Sequence, residues 1–382
     1  MTAALSTLPL VAEIDVGAFA GNIHAIRTRL ASGCQLMAVL KADAYGHGAG
    51  PLAAVAVKHG VAWLGVARCQ EGVALRQYGI DAPILILGPT WPEEVETIIE
   101  YSLTPTIGAF EDVANFQRAA RQHSRVYPIH VKIDTGMGRF GVTPESIPAL
   151  LEHLGTCSHL YLDGLMTHLA CADTPDVASV QCQLARFRAV LRQFATQGLT
   201  PRYIHAANSA GLYRYPESHW TLVRSGIALY GAQPFSAPGT EALRPVLTWK
   251  TCLARVQAVS AGYGISYGYT FVTRRPSIIG TLPVGYADGL NRNLSNVGQV
   301  LIHGQRVPLV GQICMDMCMV DLTDLACAHV GDAVVLLGAQ GDERITAEEM
   351  AARCGCIPYE VFCAISQRVP RRYVGTEHEV CH

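Results

Sequence analysis

The chain has 382 residues, half of them hydrophobic and 16% charged, and its 29 basic and 31 acidic residues leave a formal charge of −2. That length suits about two domains, and the composition is that of a core-forming globular chain rather than a disordered one. With no basic block and no apolar run of about 18 residues, the sequence points away from nucleic-acid binding and from a transmembrane helix.

The opening stretch, MTAALSTLPLVAEID, is apolar but has no basic residue ahead of it and is too short for a signal peptide. The 13 cysteines are odd in number and scattered, and their closest spacings are Cys354-Gly-Cys356 and Cys314-x-x-x-Cys318. They read as reduced, mostly buried thiols of a cytoplasmic protein, and not as a disulfide framework or a zinc site. No metal is expected.

In chain order, an amphipathic stretch at 16–30 precedes a first apolar run at 36–40. Further runs follow at 63–67, 84–87, 103–107, 127–133, 160–166, 203–205 and 222–229, the last interrupted by Ser225-Gly226. Helical patterns fill the gaps at 51–58, 70–78, 93–100, 110–122, 147–154 and 177–197, and a short one opens near Ser209. Eight short strands alternating with helices predict a (β/α)8 barrel of the TIM type over residues 10–240. From 241 to 382 the pattern changes to strands, at 246–258, 277–283, 299–302, 307–321 and 333–337, with a hairpin turn at Gly304-Gln305. One helix is expected at 346–354, where Thr346 and Glu349 have capping-box spacing. The fold class is therefore α/β, with a C-terminal, mostly β domain.

In such barrels the carboxyl ends of the strands carry the chemistry. The first run leads directly into Lys41, which is odd for a core residue and well placed for a Schiff base. Lysines also snorkel from strand ends for no chemical reason, so the neighbouring string matters. VLKADAYGHG around Lys41 resembles the cofactor-lysine motif of the alanine racemase family. The resemblance continues through VKIDTGMGRFG at 131–141, MTHLACAD at 166–173, HAANSAG at 205–211 and VRSGIALYG at 223–231. It goes on through ISYGYTF at 265–271, VGYADGLNRNLSN at 284–296, GQICMDMCMVDLTD at 311–324 and IPYEVFCAISQRVPRRY at 357–373, so it covers nearly the whole chain.

The resemblance implies interconversion of L- and D-alanine with pyridoxal 5'-phosphate (PLP), in a homodimer whose subunits share their active sites. It implies that Lys41 holds PLP and acts as one base, with Tyr267 as the base on the opposite face. One base per face is what racemisation requires. A phenol acts as a base only as its phenolate, so this role needs surroundings that favour the charged form. Taken alone, Tyr267 would read as an ordinary bonded tyrosine of a β domain. Arg224 is implied at the pyridine nitrogen, with His168 linking it to the base tyrosine. Tyr45, Asn208, Ser209 and the backbone of Gly226 and Ile227 are implied at the phosphate, although Asn208-Ser209 also reads as a plain helix cap.

By the same resemblance Arg139 and the Met315 backbone amide meet the substrate carboxylate. Lys132 is a carbamylation site, for which an unmodified strand lysine is the alternative. Tyr286 and Asp316 lie at the entrance. Gln367 stands where relatives carry a pocket-shaping, phosphate-bound tyrosine, which leaves serine open beside alanine as substrate. Gln312 and Ser225 also depart from common family residues. A PLP-dependent decarboxylase and a PLP-carrier protein on the same barrel are the competing readings. The paired Lys41 and Tyr267 motifs weigh against both.

Overall fold

The computed structural model describes residues 9–235 and 243–375. The boundary expected at 240–241 lies outside the described residues. The chain opens with β1 (Leu10–Asp15), and then β2 (Gln35–Val39), β3 (Trp63–Val66), β4 (Ile84–Ile86), β5 (Thr104–Ile107), β6 (Tyr127–Lys132), β7 (Leu160–Met166), β8 (Tyr203–His205) and β9 (Leu222–Ser225) alternate with helices. β2 to β9 form one parallel sheet in the order β8-β7-β6-β5-β4-β3-β2-β9. Thr221 N to Ile204 O (3.2 Å) and Arg224 N to Ala207 O (3.0 Å) bring β9 beside β8 and nearly close the barrel. Most strand residues are buried, because helices cover the outside and side chains fill the inside. Met37, Trp63, Leu85, Met166, Tyr203 and Leu222 make up one packed interior cluster.

The β6–β7 ladder carries a bulge. Ile129 pairs with Leu162 and His130 with Gly164, so Asp163 has no partner across the ladder. An extra residue of this kind bends the strand and re-aims its side chains, which is why bulges gather near sites.

The second domain holds β10 (Leu247–Cys252), β11 (Arg255–Val259), β12 (Gly264–Ile265), β13 (Phe271–Val272), β14 (Ser277–Leu282), β15 (Gln299–Ile302), β16 (Gln305–Val310), β17 (Cys318–Asp321), β18 (Ala333–Gln340), β19 (Glu343–Ile345) and β20 (Arg371–Val374). Its main sheet runs β11-β14-β17-β16-β15-β18-β10-β1-β20, with β19 on β18, and β12 and β13 form a separate hairpin. The single strands expected at 246–258 and 307–321 are each two strands. The second is broken at Gly311 (φ +74), where a Cβ would lie 2.8 Å from Ile265 O. The β15–β16 turn is His303-Gly304, both at positive φ, one residue before the expected pair. Thr346 caps the Ala347–Cys354 helix, accepting from Glu349 N at 3.1 Å.

The chain begins in the second domain's sheet, not in the barrel. β1 pairs antiparallel with β10 and parallel with β20, and Glu13 on β1 forms ion pairs with Lys250 and Arg372. Buried Asn22, on the Val16–Arg27 helix, fastens the junction. Its amide donates to Leu229 O (3.0 Å) and Arg244 O (2.8 Å), and its oxygen accepts from Arg244 N (2.8 Å). Asn22→Ala leaves these groups unpaired and should lower stability to urea by about 1–3 kcal/mol. A loss under about 0.5 kcal/mol, the range of an ordinary surface change, would show that the junction does not depend on it.

Candidate active site

β2 ends at Val39, and Leu40 leads straight into Lys41. The next four residues, Ala42, Asp43, Ala44 and Tyr45, all have φ between +52 and +54. Left-handed backbone costs a non-glycine residue ~1–2 kcal/mol, so this turn has to be held by its surroundings. Glu71 holds its start, accepting from Ala42 N (2.6 Å) and Ala67 N (2.7 Å), and Asp43 accepts from Ala49 N (2.7 Å) at its end. The turn buries Tyr45 between Tyr230 and Tyr359, at ring centroid distances of 4.8 and 5.8 Å.

Lys41, Tyr45, Lys132, Arg139, His168, Asn208, Ser209, Arg224, Gly226 and Ile227 line one cavity, so ten of the residues picked from the sequence are brought together. Val39, Leu87, Met166 and Tyr359 complete the lining. Ser209 Oγ accepts from Gly226 N (2.9 Å), and Asn208 caps its helix by accepting from Gly211 N (2.9 Å). Gly226 has to lack a side chain, since a Cβ there would lie 2.5 Å from Tyr45 Oη.

Arg224 is buried without a carboxylate against it among the described residues. Its guanidinium donates to Thr167 O (2.8 Å), Ala206 O (3.0 Å), His168 Nδ1 (3.1 Å) and His205 Nδ1 (2.9 Å). Burial, and then the Arg139 cation, lower its pKa to about 9. Burial and the Arg224 charge hold His168 well below the usual histidine range, so it is neutral. Lys132 is pushed down to about 8 by burial and by Arg139 and Arg224, with its ammonium over the Phe140 ring at 5.0 Å. Lys41 is also lowered, by burial first and Arg139 second. Arg139 rides on a loop tied by Asp134, which accepts from the amides of Gly136, Met137, Gly138 and Arg139 at 2.9–3.1 Å. Burial would raise the Asp134 pKa, and these four bonds outweigh it and hold it below the usual carboxylate range.

Tyr267 is elsewhere on the chain. It is 73% exposed, between β12 and β13, and does not line the Lys41 cavity. It sits with the other residues picked from this domain. Ser266 Oγ donates to Gln312 O (2.6 Å) and meets Cys314 Sγ (3.4 Å), while Tyr286 N donates to Cys314 O (3.0 Å). Met315, Asp316 and Tyr286 are exposed, and Asp316 accepts from Arg368 at 2.8 Å. The structure thus makes two groups, a barrel cavity and an exposed patch of the second domain.

Gln367 is exposed and outside the cavity of its own chain, in the turn after the Pro358–Ala364 helix. Beside Tyr45, a second tyrosine lines the cavity: Tyr359, in that helix's first turn, which packs on Tyr45. Tyr359 stood in the quoted string IPYEV and could have been found from the helix start at Pro358. Glu71 and Asp134 gave no signal, being ordinary acidic residues until the backbone folds onto them.

Among the described residues no helix is long and apolar enough to cross a membrane, and no cluster of side chains could hold a metal ion. Residues 14–234 match the family model for the alanine racemase N-terminal domain, and residues 246–373 match the one for its C-terminal domain. The alanine racemase of Symbiobacterium thermophilum is 46% identical over 370 residues, which are 96% of this chain and 97% of that protein. The crystal structure of the Streptomyces lavendulae alanine racemase superposes with a TM-score of 0.89 at 37% identity, over 97% of this chain and 98% of that one. The Bartonella henselae alanine racemase, solved with covalently bound pyridoxal phosphate, gives 0.88 at 29% identity, over 96% of this chain and 100% of that one. With both family models placed on the barrel and on the β-rich domain, the chain belongs to the alanine racemase family of enzymes.

Proposed function

We propose that this enzyme interconverts L- and D-alanine with PLP as its cofactor, using Lys41 and Tyr267 as bases in a site shared by two chains. The observation that carries the reading is Lys41 at a strand end inside a cavity ringed by further cations. Such a cavity suits a ligand with two anionic groups, a phosphate and a carboxylate. The residues present fit PLP. Gly226 lacks the Cβ that would crowd the Tyr45 hydroxyl, the Tyr45 and Ser209 hydroxyls and Ile227 line the same cavity, and Arg224 adds donors. The odd, scattered set of 13 cysteines suits the reducing cytoplasm.

In this reading Lys41 would hold the cofactor through its amine. Tyr45, Ser209 and the amides of Gly226 and Ile227 would hold its phosphate, with Asn208 capping the adjoining helix. When bound, PLP draws electrons from the α-carbon of an attached amino acid and so eases removal of the α-proton. Arg224 has donors and no acceptor, so it binds an unprotonated ring nitrogen, and His168 braces it. The Arg139 guanidinium and the Met315 amide of a second chain hold the substrate carboxylate. Once the substrate amine takes its place, the freed Lys41 Nζ would take or return the α-proton on one face, and burial beside Arg139 favours the neutral amine that this needs. Tyr267 Oη of the second chain works on the other face. The exposed Tyr267, Tyr269, Tyr286, Met315 and Met317 form the surface that meets that chain, with Tyr286 and Asp316 at the entrance. Barrel residues up to 240 and the second domain from 241 act as the two units, except that β1 belongs to the second.

Tyr267→Phe removes one base and should slow racemisation by about 10²- to 10⁴-fold. If Tyr267 is the base for the L-isomer and Lys41 for the D-isomer, the α-proton of D-alanine should still exchange at Lys41 in deuterated water. Equal loss of exchange from both isomers contradicts the division of faces.

Lys132 takes up carbon dioxide as a carbamate, releasing a proton and giving Arg139 an anionic partner. Only the neutral amine reacts, so carbamylation should rise as pH is raised through about 8. With 13C-bicarbonate, a carbamate carbon signal should grow over that range and be missing from Lys132→Arg. A signal that persists in the variant, or is absent from both, removes the assignment.

A further inference from the structure

A string of buried side chains leads from Arg224 into the barrel interior. Arg224 NH1 is 2.9 Å from His205 Nδ1, His205 Nε2 is 2.9 Å from His130 Nδ1, and His130 Nε2 is 3.9 Å from Asp163 Oδ2. The last gap is an ion-pair distance, too long for a hydrogen bond. Both imidazoles are fully buried.

The direction of the string follows from its first member. A guanidinium can only donate, so His205 Nδ1 accepts. Burial holds both rings below the usual histidine range, and for His205 the Arg224 charge adds to it. A neutral His205 then carries its proton on Nε2 and donates to His130 Nδ1. His130 in turn carries its proton on Nε2, facing the Asp163 carboxylate. Every proton therefore points from Arg224 towards Asp163, and a carboxylate at that end polarises the string in the sense that favours a charged guanidinium.

The backbone is shaped around this arrangement. The β6–β7 bulge leaves Asp163 unpaired and sets His130 opposite Gly164. A Cβ on Gly164 would lie 2.4 Å from His130 Nδ1, so the imidazole occupies the space a side chain would take. The rings of Trp63 and Tyr203 pack on His130 at centroid distances of 5.1 and 5.9 Å and fix its plane. Asp163, His130 and His205 do not line the cavity, so they touch neither substrate nor cofactor and act through Arg224.

We propose that Asp163 and His130 are positioning residues for racemisation, fixing through His205 which donors Arg224 turns inward and which it presents to the cavity. The inference rests on the reading of Arg224 given above. It predicts a tautomer for each ring, which racemase activity alone does not report.

The test is 15N NMR of the histidine-labelled holoenzyme. His130 and His205 should both stay neutral Nε2–H tautomers as pH falls from about 8 to 6, a range in which an ordinary histidine gains its proton. Asp163→Asn keeps the shape and removes the charge. It should shift the His130 and His205 resonances and lower kcat roughly 2- to 30-fold, the range for residues coupled through a network, with KM little changed. His130→Phe keeps a ring and deletes both nitrogens. It should shift His205 and lower kcat at least as far, and it covers the case in which Asp163→Asn fails to fold. An Nδ1–H tautomer on either ring overturns the proposal, as do unshifted His205 resonances with wild-type kcat in the variants that fold. A wild-type enzyme that does not bind PLP would instead sink the earlier reading and leave the tautomers to judge the string.

Discussion

Four cations, Lys41, Lys132, Arg139 and Arg224, are held round one cavity, and burial, reinforced by their mutual repulsion, decides what that cavity can do. Arg139 acts on each of the other three, and burial removes the water that would screen them. Two consequences follow. The cavity favours anionic ligands, and its lysines are biased towards their neutral forms, in which an amine can accept a proton or react with a carbonyl or carbon dioxide. The same pressure leaves Arg224 dependent on carbonyls and neutral imidazoles in place of a carboxylate.

Holding like charges together takes a rigid frame, and the barrel supplies it. Lys132 ends β6, Arg224 lies on β9, and Lys41 comes two residues after the end of β2. The connections are fastened by acidic side chains bound to backbone amides, Glu71 after β2 and Asp134 after β6. The left-handed turn from Ala42 to Tyr45 is the strained part of this frame, and it carries one of the aromatic walls of the cavity. The second domain contributes Tyr359 to the cavity of its own chain but carries Tyr267 on an exposed surface. A one-chain site therefore has a single base, and the proposed racemisation requires a second copy.

Much of this was legible from the residues. The barrel strands showed as short apolar runs because both their faces are buried, and the helix at Phe110–Gln122 has the bounds its pattern predicts. Of the cavity residues, Lys41 showed from its strand-end position, and the others came from the family resemblance rather than from any local pattern. β1 was not, since nothing local marks a six-residue strand whose partners, β10 and β20, lie over 200 residues away. The merging of β16 with β17 came from reading 307–321 as one apolar run, although Gly311, Gln312 and Asp316 interrupt it and the chain leaves the sheet from 311 to 317. Tyr359 was passed over because a matching string does not say which residue faces inward. That depends on where the Pro358–Ala364 helix starts. The His205–His130–Asp163 string was invisible because it spans β6, β7 and β8 and relies on a bulge.

The central claim is that two chains complete one site, and subunit mixing tests it most directly. Lys41→Ala and Tyr267→Phe chains, each inactive alone, are combined under conditions in which mass spectrometry demonstrates exchange. A mixed dimer holds one site with both lesions and one with neither, so random exchange should restore about a quarter of wild-type activity. No recovery in a population that contains mixed dimers would contradict the account.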